Sequence, residues 1–144
     1  MAHCKLGTDA ASWLLPLRFV EVHPEVKEFY NSQLEVAGEC AMQKHARGIV
    51  NLFDSVLQML GPDLEFIEEI LHQVGLRHAK MGVKSSYFPH LGESLIWALK
   101  QTIGDELTPE NEEAWEQTYD AISGEITKEI ISAWERVHIF GTEQ

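Results

Sequence analysis

Of the seven histidines in this chain, His45 and His78 each stand at one end of a long apolar stripe. Imidazole in such a place can ligate a metal, relay a proton or donate to a small ligand. After His45, Ile49, Leu52, Phe53, Val56 and Leu60 follow at offsets of 4, 7, 8, 11 and 15 residues, one face of a 3.6-residue helix. His78 closes a second stripe formed by Ile67, Ile70, Leu71 and Val74, and Gly61, Pro62 and Asp63 separate the two. A hairpin folded about the midpoint of positions 61 and 62 pairs residue 45 with residue 78, each 16.5 residues from that centre. At ~1.5 Å per residue both arms are ~25 Å long, so the two imidazoles end at the same height and face one another.

The flanks repeat the symmetry: Lys44-His45-Ala46-Arg47 is matched by Arg77-His78-Ala79-Lys80, so four of the 11 lysines and arginines crowd two positions of an acidic chain. A haem would use all three features, since its flat body is apolar, its iron takes imidazole, and its propionates attract cations. Each feature also has a plainer reading, as a hydrogen-bonded core histidine, a packed helix face or a solvated helix end. Periodicity and charge alone therefore support a helical bundle with a metal or cofactor site. A mononuclear zinc site is disfavoured, because no Cys or carboxylate accompanies the histidines at a usual ligand spacing.

The elements that must position these side chains are helices. β-branched residues do not alternate over any length, and no repeat or low-complexity linker divides the 144 residues, which read as one all-α domain over 1–144. The first stripe lies in a helix over 34–60; the second ends near Gly82. Ser85 and Ser86 can cap a third helix with Phe88, Leu91, Leu95, Leu99 and Ile103 on its inner face. Thr108-Pro109-Glu110 reads as an N-cap, a proline at the first helical position and an acid at the positive end of the dipole. This opens a last helix of about 28 residues whose face runs through Trp115, Tyr119, Ile122, Ile126, Ile130 and Trp134. Upstream, Trp13 to Val22 suits a helix that Pro16 should break or kink, and His23-Pro24-Glu25 opens a short turn ending near Phe29 and Tyr30.

A net charge of −12 argues against nucleic acid and anionic membranes as partners. No apolar run approaches the ~20 residues that span a bilayer, and the first residues lack a secretory pattern, so the reading is cytoplasmic. Cys4 and Cys40 are expected to be reduced thiols.

With these residues in place, the chain resembles the globin family, nearest its neuroglobin-like branch and the bacterial single-domain globins, over about residues 17–136. The likeness is densest from Val74 through His78 to Lys84, with Ser86, Phe88 and Gly92-Glu93-Ser94-Leu95, and continues in Thr108-Pro109-Glu110 and Ala114-Trp115 to Tyr119. Upstream, His23-Pro24-Glu25 and Lys44-His45 fall where the family has its turn and its distal histidine. The resemblance implies a globin fold around haem b (iron protoporphyrin IX), with His78 the proximal iron ligand and His45 the distal one. It implies that His78 donates its second N–H to the carbonyl of Val74, that Ile49 forms the distal wall, and that Val83, Phe88, Leu91 and Tyr119 line the pocket. Lys44, Arg47, Arg77 and Lys80 are the propionate candidates.

Three departures from the family pattern accompany this. Only 23 residues precede Pro24, so the first helix is expected to be missing or vestigial. Pro16 falls at a distal position where globins carry an aromatic residue or leucine. Tyr30 stands where a phenylalanine usually stacks on the haem, with Phe29 one residue away. The implied function is reversible binding of dioxygen, nitric oxide or carbon monoxide, with His45 either filling the sixth iron position in the ligand-free state or hydrogen-bonding bound gas. The alternatives are a nitric oxide dioxygenase or nitrite reductase served by an external reductase, and a cofactor-free interaction protein. Trp134, Val137, Ile139 and Phe140 reach beyond the usual last helix, and either fray, cover the pocket or form a homodimer contact.

Overall fold

The computed structural model describes residues 10–31, 41–59 and 64–140, all organised by helices. Helix α1 is Ala10–Val22, followed by a 3₁₀ turn Pro24–Val26 and the short α2, Lys27–Asn31. Helices α3 (Ala41–Gln58), α4 (Leu64–Lys80) and α5 (Tyr87–Ile103) come next, then a 3₁₀ turn Gly104–Glu106 and α6, Pro109–Phe140. Cys4, Cys40 and positions 34–40 of the expected first stripe helix lie outside the described residues.

The periodic faces become the core. Phe53 and Val56 of α3, Ile67 and Leu71 of α4, Phe88 of α5, and Tyr119, Ile122, Ile126 and Ile130 of α6 form one buried cluster. Close backbone approach joins α4 to α6, α1 to α5 and α3, and α5 to α6, so α3 and α4 are not zipped together. Their opposed faces are thereby left free to border a cleft. A smaller cluster of Phe19, Val20 and Val26 ties α1 and the following turn to Phe29, Tyr30, Met42, Tyr87 and Leu91.

Helix ends are set by local chemistry. Gly82, at φ 80°, follows α4; its N–H bonds the Ala79 carbonyl at 3.0 Å, and the Val83 N–H bonds that of His78 at 3.1 Å. This paired closure needs a residue that tolerates positive φ, and it finishes the helix that carries His78. Thr108 caps α6 as its sequence implies, with the Asn111 N–H on Thr108 Oγ1 at 3.2 Å.

Two local expectations are corrected. The chain does not break at Pro16: α1 runs through it, and the proline side chain is fully buried. Losing one backbone bond is offset by burial of Leu15, Pro16, Phe19 and Val20 where α1 meets α3 and α5. Ser86 makes no side-chain cap at α5; the first turn is closed by the Lys84 and Ser85 carbonyls, which accept from the Tyr87 and Phe88 N–H groups. At the far end, α6 continues helical to Phe140 for 32 residues, leaving Trp134, Val137 and Ile139 exposed.

Candidate functional site

His78 lies in the last turn of α4. Its Nδ1 is 2.8 Å from the carbonyl oxygen of Val74, one turn earlier. A carbonyl can only accept, so Nδ1 carries the hydrogen and Nε2 keeps a lone pair for a metal. The ring also meets the edge of Phe88, with centroids 5.6 Å apart. Burial pushes the His78 pKa down, opposed by the Val74 hydrogen bond and assisted by the nearby Arg77 charge, so the imidazole is neutral.

His45, near the start of α3, faces it. The two ring centroids are 6.1 Å apart, with the planes inclined at 53°. An ion held at roughly 2 Å by one nitrogen of each ring would place the centroids roughly 6 Å apart. Burial, reinforced by repulsion from His78, lowers the His45 pKa to about 4. His45 Nδ1 lies 2.8 Å from the hydroxyl of Tyr30, whose own pKa burial raises to about 12, so the phenol stays protonated.

Between the histidines runs an apolar cleft with about 490 Å³ of empty space, a figure that includes the open solvent at its mouth. Seven of the residues expected at the site border it: His45, Ile49, Val74, His78, Phe88, Leu91 and Tyr119. Five are placed elsewhere. Tyr30 is bonded to His45; Phe29 packs edge-on against Tyr87; Val83 packs on the core beside the end of α4; Lys44 and Arg77 sit on exposed sides of their helices. The Tyr119 hydroxyl donates to the Phe88 carbonyl, which braces α6 against the start of α5 at the cleft wall.

Leu15, Leu52, Phe53, Leu95, Ile122, Ser123 and Ile126, which the sequence does not mark as pocket residues, also border the cleft. Five of the seven lie on the periodic stripes, where period alone gives no distinction between core and pocket. Leu15 neighbours Pro16, the residue that the family resemblance puts at a distal position.

Among the described residues no three His, Cys, Asp or Glu side chains group to hold a metal ion. An ion between His45 and His78 would thus have two protein ligands and carbon-lined surroundings. A flat macrocycle that brings its own equatorial nitrogens fits that donor set. Helices alone, two opposed neutral imidazoles and an apolar slot define a protein built to enclose a planar, metal-centred cofactor.

Comparison with known proteins gives the family: the globin model matches residues 17–126, and the chain belongs to the globin family. Haem binding comes with that membership. A flavohemoprotein of Rhizobium meliloti (strain 1021) is 29% identical over 102 residues, 71% of this chain and 24% of that protein. The anaerobic nitrite reductase NSHB5 of Oryza sativa subsp. japonica is 26% identical over 117 residues, 81% of this chain and 79% of that protein. The chain therefore spans about a quarter of the first relative and most of the second. No described helix is long and apolar enough to cross a membrane.

Proposed function

We propose that the chain is a single globin domain that holds haem b between His78 and His45 and binds a diatomic gas, with both histidines on the iron when gas is absent. The observation that carries this reading is the opposition of two neutral imidazoles, 6.1 Å between centroids, across an apolar slot. When bound, the haem supplies an iron centre able to take dioxygen, nitric oxide or carbon monoxide.

The protein's part is to hold and to exclude. Val74 fixes the His78 ring so that its free nitrogen points away from its own helix, and Phe88 supports the ring from the side. Ile49, one turn beyond His45, together with Leu91 and Phe53, keeps the slot apolar and sheds water. His45 would hold the iron through Nε2 or, as its other tautomer, donate Nε2–H to a polar gas ligand. Apparent gas affinity then scales with the fraction of molecules in which His45 has withdrawn. The propionate candidates Lys44, Arg47, Arg77 and Lys80 are all exposed in the turns that carry the two histidines, where such cations can pair with carboxylates.

A second reading, nitrite reduction or nitric oxide dioxygenation with electrons from a separate reductase, draws on what the two relatives are called. A cytoplasmic setting, with reductants at hand, suits both readings. The absorption spectrum of the ferrous protein tests the first: a low-spin, six-coordinate spectrum that converts on adding carbon monoxide is expected, and a five-coordinate, high-spin spectrum refutes bis-histidine ligation. Sustained turnover of nitrite with a chemical reductant, at a rate above that of free haem, would favour the second.

A further inference from the structure

Tyr30 occupies the place where the family resemblance leads one to expect an aromatic ring lying on the cofactor, but the structure gives it another partner. Its hydroxyl is 2.8 Å from His45 Nδ1, and it does not border the cleft. The rings of Tyr30 and His45 are 5.5 Å apart and inclined at 54°, a geometry of hydrogen bonding rather than of parallel stacking.

We propose that Tyr30 is a positioning residue that selects the tautomer of His45, and through it decides whether that imidazole ligates the iron or serves the gas. The inference rests on the haem reading above. A neutral imidazole has one N–H and one lone pair. To ligate through Nε2, His45 must carry its hydrogen on Nδ1 and donate it to the Tyr30 oxygen. To donate Nε2–H to a gas ligand, it must accept at Nδ1 from the Tyr30 O–H. Passing from one form to the other adds one proton at one nitrogen and removes one at the other, so the net charge is unchanged and no oxidant or reductant takes part.

The two forms are not equally well served. The phenolic oxygen shares its lone pairs with the ring, so tyrosine is a better donor than acceptor, whereas an imidazole nitrogen is a strong acceptor. Tyr30 thus lowers the preference for the ligating form without abolishing it, so that His45 holds the iron in the absence of gas yet gives way readily to the form with hydrogen on Nε2 that serves the gas. His78 is treated differently: its Nδ1 faces a carbonyl, which accepts only, and its tautomer is locked in the ligating form. The two histidines have opposite second partners, one obligatory acceptor and one preferred donor.

The test is Tyr30→Phe, which keeps the ring and removes the hydroxyl, compared with His45→Ala. In the apoprotein, the nitrogen NMR signals of His45 should show hydrogen on Nε2 in the parent and a mixture in Tyr30→Phe; this readout needs no haem and also reports whether the variant is folded. In the ferrous holoprotein, Tyr30→Phe should slow carbon monoxide binding, because His45 then leaves the iron less readily, and speed dioxygen dissociation, each by roughly three- to tenfold, the range of one hydrogen bond. If His45→Ala alters the ferrous spectrum but Tyr30→Phe leaves carbon monoxide binding, dioxygen dissociation and tautomer as in the parent, the proposal is wrong and the haem reading stands. If His45→Ala leaves the ferrous spectrum unchanged, the haem reading fails at His45 and the proposal falls with it.

Discussion

Helices α3 and α4 each present one histidine to the same cleft, yet they hold it by different means. On α4 the partner of His78 is a backbone carbonyl of the same helix, and the helix is closed just beyond by the Gly82 turn and backed closely by α6. On α3 the partner of His45 is a side-chain hydroxyl from α2, a helix of five residues. A ring bonded to its own helix keeps its orientation and tautomer for as long as the helix exists. One bonded across to a neighbour can change both when the neighbour's hydroxyl turns. The comparison separates a histidine whose tautomer is fixed from one whose tautomer can be chosen.

The largest expected effect tests that asymmetry on the cofactor itself. His78→Ala should abolish stable haem retention, seen as loss of the Soret band after gel filtration, and added imidazole should restore part of it by filling the vacated position. His45→Ala should retain haem and become five-coordinate, because the proximal bond and the apolar walls remain. Equal haem loss from both variants would overturn the distinction between the arms.

Acid stability of the apoprotein sharpens it next. The unfolded chain binds a proton at each histidine near pH 6.5, whereas folded His45 resists protonation until about pH 4. Between those values the unfolded state carries more protons, so stability is complete above about pH 6.5 and falls as the pH is lowered toward 4. His45 alone accounts for a loss of about 2 kcal/mol between pH 7 and pH 5. His78 adds a loss in the same direction, since its pKa is also lowered by burial. Urea unfolding at the two pH values measures this, and His45→Gln should remove the larger part of the slope. An unchanged slope would mean that the His45 ring is not buried as described.

Much of this arrangement was legible in the residues, for reasons that also set the limit. The stripes ending at His45 and His78 repeat with the helical period, and their equal distance from Gly61-Pro62 places the rings opposite one another; the structure puts them 6.1 Å apart. The Val74 bond was legible because residues four apart adjoin on a helix. Tyr30 marks a limit: resemblance gives it the place of a stacked ring, and nothing local in the sequence indicates that α2 brings its hydroxyl to His45 of α3. Leu15 is hidden for a related reason: a proline inside the segment predicts a break or a kink at Pro16, and with α1 helical through it the preceding residue borders the cleft. Period distinguishes inside from outside; it does not distinguish core from pocket, which is why Ile122 and Ile126 could be placed on the buried face of α6 but not at the site.

The finest test compares one glycine from each arm. A Cβ at Gly75 of α4 would collide with the backbone carbonyl oxygen of Ile126 and come within 2.9 Å of Glu129 Cβ, both on α6. Backbone cannot swing aside as a flexible side chain can, so Gly75→Ala must push α4 and α6 apart at this contact. The expected cost is about 1–3 kcal/mol. A Cβ at Gly48 of α3 would meet nothing within 4 Å, and the position is exposed within a helix. There Gly48→Ala relieves the entropy lost in fixing glycine and should stabilise the protein by roughly 0.5–1 kcal/mol. The same substitution therefore carries opposite signs on the two arms, readable as opposite shifts of the apoprotein melting temperature. Because Gly75 lies one residue from Val74, the α4 variant should also weaken haem retention, while the α3 variant should leave it unchanged. Two shifts of the same sign would show that α4 is no more tightly seated than α3.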